Sequence, residues 1–374
     1  MNDGKSNSSS HAHPPGKVDA AAAKTPVTIR GVGAVGGFGC GRAELLRACR
    51  SRPGPNGELE ADMGEGKVRK IPGFIADPSP LKEIFGSRRL RHLDRFSRMT
   101  ALAAYLALED GGCLDIDRHT LAIAMATGHG ANHTTFRFID DCMLFGDRAA
   151  SPLLFSGAGH SGVLSNTTIL LDIRGGLLTV CQPRLAFSTA LTTAVGWLRE
   201  GRSRAVLVGG AEEYIPLVGY VRNRLTAGKD QASKPAPGEG ACFLLLTAEP
   251  AKPGECSLVT VAGAVGAEDV DLCRCDIVLA GGGCRSDWNK TTPRPRGVDR
   301  QGLFAGANIF GELPTGMAFD LALGTVLLTE RSRAGNSGVA AGSPETAPSS
   351  LGCVETDGAG RFGMAMVERT KLGE

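Results

Sequence analysis

Apolar and polar residues recur along this chain in two rhythms, and each rhythm predicts an element. From Pro26 onward VTIRGVGAV (27–35) reads as a strand running into glycines. GRAELLRACR (41–50) reads as a short amphipathic helix, and SRMTALAAYLALEDGG (97–112) as a helix with an Ala/Leu face and a glycine stop. TLAIAMAT (120–127), RAVLVGGA (204–211) and GACFLLLT (240–247) are unbroken apolar runs of strand length. SGVLSNTTILLDIRG (161–175) and LAFSTALTTAVGWLREG (185–201) read as helices flanking the short strand LLTVC (177–181). The order then returns in weaker form. CSLVTVAGAV (256–265) and CDIVLAGGG (275–283) read as strands, TGMAFDLALGTVLLTER (315–331) as a helix and FGMAMVER (362–369) as a closing strand. Buried strands alternating with helices imply parallel pairing and crossover connections. The weaker return implies a duplicated unit.

The breaks in the pattern set the organisation. Residues 1–24 lack periodicity and read as a disordered tail, in which His11 and His13 are solvent-exposed. Residues 25–250 and 251–374 form the two halves. Residues 52–72, 285–301 and 331–350 read as polar loops.

Composition narrows the class. The 41 basic and 39 acidic residues nearly cancel, which argues against a nucleic-acid footprint. No apolar run reaches the roughly 18 residues of a membrane span, and residues 1–24 hold no leader-type apolar stretch. The eleven cysteines are scattered, often inside apolar runs, as free thiols in a reducing compartment would be. A cytoplasmic protein is therefore expected. Glycine makes up 52 of 374 residues, about twice its usual share. Such a chain packs backbone closely against backbone.

Three motifs bear on chemistry. Gly31-Val-Gly33-Ala-Val-Gly36 matches GxGxxG, but the acidic residue a dinucleotide site needs about 20 positions on would fall in a loop. The glycines are read instead as a strand end with tight turns. Cys273-Arg-Cys275 and Cys284 lack a second CxxC pair and any histidine beyond His160, so no zinc or other metal site is expected. Glu212-Glu213 follows a strand, and adjacent residues there point apart, so a solvated or capping role is expected.

Several segments, taken in order, resemble the β-ketoacyl-acyl-carrier-protein synthases of the thiolase fold. VTIRGVGAVGGFG (27–39) is similar to the family's first strand and glycine turn. LRHLDRFSRMTALAAYLALEDGG (90–112) is close to its "RxxDRFSRMALxAAxxALxDAG" helix. SPLLFSGAGHSGVLSNTTILLDIRGGLLTV (151–180) resembles the approach to the nucleophile. RAVLVGGAEE (204–213) and PGEGACFLLL (237–246) resemble "AxxGGxE" and "GEGAGxLVLE". The resemblance runs from about residue 26 to 370. It implies an α/β, five-layer α-β-α-β-α sandwich of two pseudo-duplicated halves.

Such enzymes carry a cysteine nucleophile at a strand-to-helix elbow, two histidines in the second half and a nearby lysine. Laid on this chain, the motifs put Arg184 at the nucleophile position, Gly281 at the first histidine, Asn308 at the lysine and Glu312 at the second histidine. The family's "GFGG" turn becomes Gly358-Ala359-Gly360-Arg361. All seven histidines lie at or before His160, so no shift of register supplies the missing pair. Cys181, three residues before the elbow, reads as packing. Gln182, two residues before it, resembles the glutamine of decarboxylating relatives, which keep both histidines. An Arg184–Glu312 ion pair would replace the chemistry.

The resemblance is greatest to chain length factors, the degenerate subunits of type II polyketide synthases, including aryl-polyene systems. It implies a heterodimer with an active ketosynthase and a role in shaping the acyl tunnel. Substrate would arrive on the phosphopantetheine arm of an acyl carrier protein, with no cofactor of the chain's own. The segment 131–145 carries Phe136, Ile139 and Met143 at helical spacing, with Phe138 beside them. It reads either as helix core or as the cap of that tunnel. Two alternatives stay open: a decarboxylating or condensing synthase with a displaced nucleophile at Cys181, and a carrier-protein scaffold.

Overall fold

The computed structural model describes residues 26–146, 148, 150–225, 235–280, 295–298, 303–304, 306–330 and 348–371. In chain order its elements are β1 (Val27–Gly36), β2 (Gly39–Cys40), α1 (Gly41–Ser51), β3 (Gly57–Asp62), β4 (Val68–Gly73), α2 (Pro80–Leu90), α3 (Arg95–Asp110), β5 (Leu121–Thr127), α4 (Asn132–Phe145), α5 (Pro152–Ala158), α6 (Gly162–Leu171), β6 (Leu177–Cys181), α7 (Ala186–Arg199), β7 (Ala205–Glu212), α8 (Pro216–Leu225) and β8 (Gly240–Thr247). The second half holds β9 (Cys256–Gly266), β10 (Ile277–Ala280), β11 (Leu303–Phe304), α9 (Ala307–Phe310), α10 (Gly316–Glu330), β12 (Ser350–Thr356) and β13 (Arg361–Arg369).

The pairing repeats itself. In the first half the strands lie in the order β6-β5-β7-β8-β1, and in the second β11-β10-β12-β13-β9. Read as first to fifth strand of each half, both orders are third-second-fourth-fifth-first. In both, the second strand is parallel to the third and fourth, while the fifth is antiparallel to the fourth and first. The two first strands, β1 and β9, pair antiparallel over Val27–Ile29 and Cys256–Leu258, which stitches the halves together. This is the duplicated α/β architecture the pattern predicted, but the expected parallel pairing holds only around β5 and β10; β1, β8, β9 and β13 pair antiparallel.

The buried strands serve two cores, and alternation sorts their side chains. Leu121, Ile123 and Met125 of β5, Ala205 and Leu207 of β7, and Phe243 and Leu245 of β8 face α3 and α6. Ala122, Ala124 and Ala126, Val206 and Val208, and Leu244 and Leu246 face the opposite core with α7 and α10. Helix α7 packs on β5, β6 and β7 of the first half and on β9 and β13 of the second. Helix α10 is buried on nearly all sides. These two helices therefore form the layer between the sheets. The outer face of the second sheet is covered, among the described residues, by Ala267, Val270, Leu272, Cys275 and Val298.

Gly31 and Gly33 have a packing reason. A Cβ at either would collide with the backbone of α3, at the carbonyls of Ala107 and Ala103. The GxGxxG run brings helix and strand backbones together, as expected from its lack of an acidic partner. Helix α3 starts at Asp94, whose carboxylate accepts the Ser97 N–H at 2.7 Å, and ends at Gly111.

Three local readings differ from the structure. Residues 52–72 contain the β3–β4 hairpin, hidden in the sequence by its Pro, Gly and charge content; Leu59 and Ala61 supply its buried face. The pattern also passed over β12, whose Gly and Cys dilute the apolar signal. Helix α4 exists where helical spacing put it, but it is not core: Thr134 is its only buried residue among those described. Phe136, Ile139, Met143, Leu144 and Phe145 are exposed, so the spacing marks a face that this chain leaves uncovered. The loops expected at 285–301 and 331–350 lie mostly outside the described residues, as do Cys284, His11 and His13.

Candidate functional site

Parallel strands bring their C-terminal ends to one edge of the sheet, and the site grows there. Thr127 of β5 pairs with Cys181 of β6, and the Gln182 N–H donates to the Thr127 carbonyl at 3.0 Å. Glu212 closes β7 alongside. From the second half, the 312–316 segment lies across these ends: a Cβ on Gly128 would strike Pro314, and one on Gly210 would strike Thr315.

Glu212 is buried, and its Oε1 accepts the Gly128 N–H at 2.6 Å. Burial pushes its carboxyl up to about 8, and the Gly128 N–H bond opposes the rise. Glu213 is buried as well and accepts the His133 N–H at 3.3 Å. Burial raises it to about 7; the His133 bond opposes the rise, Asp94 and Glu239 add to it, and Arg95 offsets them. Neither carboxyl is solvated, so of the two roles expected for the pair the capping role holds.

Cys181 is half-buried. Burial, and then the Glu212 carboxylate, push its thiol upward. A cysteine nucleophile needs the reverse, a thiolate favoured by cations or a helix N-terminus. The strand-to-helix turn itself is tight: Leu185, just before α7, has φ +59°. A left-handed leucine is unusual and marks a sharp change of direction.

Arg184 is exposed in the chain by itself, not buried as an elbow position suggests. Its charge is felt at Glu355 of β12, whose carboxyl is raised by burial and lowered by Ser188 and by Arg184. Glu355 is buried and accepts the Ser188 N–H at 2.8 Å. A carboxylate from the second half thus sits on the first turn of α7, the spot where helix N–H groups favour an anion. Glu312 goes elsewhere: its Oε2 accepts from Arg222 of α8, at 3.1 Å from Nε and 2.7 Å from Nη2. The expected Arg184–Glu312 pair gives way to these two arrangements. Asn308 lies exposed on α9, Ala359 lies exposed in the β12–β13 turn, and Gly281 falls outside the described residues.

The tunnel candidates lie together on α4. Phe136, Ile139 and Met143 are exposed, Met143 by 80%. Phe138 turns toward α5, its ring 5.5 Å from that of Phe155. Leu144, Phe145, Leu153, Phe155, Ile169 and Leu177 extend the exposed apolar surface over α4, α5, α6 and β6. β6 ends the sheet order, and no described strand pairs with its far side.

Sequence reasoning missed Glu355, Arg222 and Asp320. Asp320 is buried inside α10, and burial pushes it up to about 8. The available signal was an acidic residue inside an otherwise apolar run, in CVET and MAFDLAL. Among the described residues no three metal-ligating side chains converge, and no helix is long and apolar enough to cross a membrane.

A family model described as "Beta-ketoacyl synthase, N-terminal domain" matches residues 48–251. Nodulation protein E of Rhizobium leguminosarum bv. trifolii is 24% identical over 196 residues, 50% of this chain and 46% of that protein. Its counterpart in Rhizobium sp. (strain N33) is 25% identical over 198 residues, with the same shares. The match thus spans about half the length of these curated relatives. Among solved structures, the ishigamide ketosynthase/chain length factor aligns with a TM-score of 0.67 at 17% identity, over 92% of this chain and 99% of that one. A β-ketoacyl synthase from Burkholderia phymatum gives 0.68 at 16%, over 93% and 100%. A ketosynthase in complex with its chain length factor from Xenorhabdus doucetiae gives 0.66 at 15%, over 92% and 98%. At these identities the structures establish a common fold.

Proposed function

The chain belongs to the β-ketoacyl synthase family, and from that premise we propose that it is a non-catalytic subunit of the chain-length-factor kind, pairing with an active ketosynthase. The observation that carries this reading is the Glu355 carboxylate on the first turn of α7. In a working condensing site that helix end would favour a thiolate; here the chain's own carboxylate takes its N–H donor. Two further features agree. The nearest thiol, Cys181, is made less acidic by its surroundings. No histidine follows His160 to polarise a thioester carbonyl.

The pairing half of the proposal rests on the α4–α5–α6 surface and the open edge of β6. An unpaired strand beside a broad apolar patch is a template for another chain. A ketosynthase-fold partner would cover it, and α4 would then line the boundary between the two subunits. There Phe136, Ile139 and Met143 would close the partner's acyl tunnel, with Phe138 as their support. The growing chain would be delivered on the phosphopantetheine arm of an acyl carrier protein to the partner's cysteine.

Co-expression with an active ketosynthase tests the reading, using malonyl-loaded carrier protein and intact-mass detection. The expected result is a soluble pair in which the partner becomes acylated and this chain does not. A stable, soluble chain that ignores every ketosynthase offered and still binds carrier protein would point to a scaffold. An acyl adduct on Cys181, lost with its activity in Cys181→Ala, would replace the proposal with a displaced-nucleophile synthase.

A further inference from the structure

Two adjacent carboxyls that belong to no catalytic arrangement hold both ends of one turn. The turn runs from Gly128 to His133, between β5 and α4. At its start Glu212 accepts the Gly128 N–H at 2.6 Å. At its end Glu213 accepts the His133 N–H at 3.3 Å, in the first turn of α4. Glu212 is the last residue of β7 and Glu213 follows it directly. They are only 2% and 7% exposed.

The surroundings of the two differ from those of an ordinary buried ion pair. Facing Glu212 are the backbone of Gly128 and His129, the hydroxyls of Thr127 and Thr315, and the Cys181 thiol. No cation faces it among the described residues. Facing Glu213 are Asp94 and Arg95 from α3, Glu239 from the approach to β8, and His133 from α4. Arg95 is already engaged, donating from Nη1 to Glu239 Oε2 at 2.6 Å. Asp94 is engaged too, accepting from Ser97 N and from Thr134 Oγ1 at 2.7 Å each. Burial lowers the pKa of the half-buried His129 ring, and the exposed His160 ring lies against Gly130.

We propose that Glu212 and Glu213 are a positioning pair for α4: as neutral carboxyls they clamp the 128–133 turn, and on losing their protons they release it. This rests on the reading of α4 as the partner-facing helix and adds its regulation. A neutral buried carboxyl keeps its N–H bond at little cost. An ionised one must recruit water or a cation, and among the described residues the cation facing Glu213, Arg95, is committed to Glu239. Water reaches Glu212 or Glu213 only if the turn opens, so ionisation unseats the start of α4.

The experiment is amide hydrogen exchange on the full chain, alone and in the co-expressed pair, read on peptides covering 128–139. It is run from about pH 6 to about pH 8.5 and corrected for the intrinsic pH dependence of exchange. Protection is expected to fall roughly tenfold across that interval. Glu212→Gln and Glu213→Gln keep the carbonyl acceptor without the charge, so each should remove part of the fall. If Glu212→Gln does not fold, Glu213→Gln carries the test by itself. A flat wild-type profile, or the same fall in both variants, overturns the proposal. The affinity of the pair should weaken over the same interval. A fall in protection without a fall in affinity overturns the partner-facing role of α4 and leaves the clamp itself intact, which separates the two ideas.

Discussion

Asp320, buried inside α10, feels the charge of Glu355 of β12. Asp320 is raised from 3.8 to about 8, first by burial, with Glu355 adding and the Gly306 N–H opposing. The consequence for stability has a definite sign. The stability that the protonated folded group confers is complete below about pH 4, where the unfolded chain is protonated too. Above that the unfolded chain gives up its proton first, so the contribution is lost progressively as pH rises through about 8. Thermal unfolding should therefore shift to lower temperature between about pH 6.5 and about pH 8.5. Asp320→Asn, which cannot ionise, should flatten part of that shift; an equal shift in the variant would show that Asp320 is not its source. None of this was legible residue by residue. Sequence reasoning laid the family's cysteine, lysine and histidine positions on Arg184, Asn308, Gly281 and Glu312. The carboxylate on α7 came instead from β12, which the pattern had not resolved.

Helix α4 is the element whose meaning changed most. The spacing of Phe136, Ile139 and Met143 made the helix legible, because period alone fixes one face. What the face meets was not legible, since a stripe packed against its own sheet and a stripe waiting for another chain look alike in sequence. The structure separates the four candidates by direction: Phe138 is tied to Phe155 of α5, while Met143 projects outward. Shrinking Phe136 or Met143 to Ala should lengthen the products of the reconstituted pair without touching acylation of the partner. On the proposed reading, the filled site would exclude extra methylenes at a cost of about 1–3 kcal/mol, roughly ten- to hundredfold in the rate of over-extension. Phe138→Ala should mainly loosen α4 from α5, seen as faster amide exchange in both helices. An unchanged product distribution in well-folded Phe136→Ala and Met143→Ala pairs would move the end of the tunnel away from α4.

At the scale of the whole chain, the alternation of strands and helices was the most readable feature, because continuous apolar runs and helical stripes follow each other in the same sequence twice. The glycine surplus reads in the same way: Gly31 and Gly33 let α3 lie against β1. The unread part is what lies outside the chain. A protein with two filled cores still leaves Leu144, Phe145, Leu153, Phe155 and Ile169 in water, beside the open edge of β6. A face of that kind carries two liabilities together, aggregation when alone and association when matched. One substitution can divide them. Ile169 is 78% exposed on α6, so a charge there costs the fold of the single chain little. Burying such a side chain at an interface contributes about 1.5–3 kcal/mol, on the order of ten- to a hundredfold in Kd. Ile169→Glu should thus weaken the pair by at least that factor, since the glutamate must also be desolvated. It should also make the lone chain less prone to aggregate. Light scattering of the lone chain and titration of the pair give the two readouts side by side. A variant that pairs as tightly as the parent would place the partner on another face of the molecule, and the apolar surface over α4, α5 and α6 would then need a different occupant.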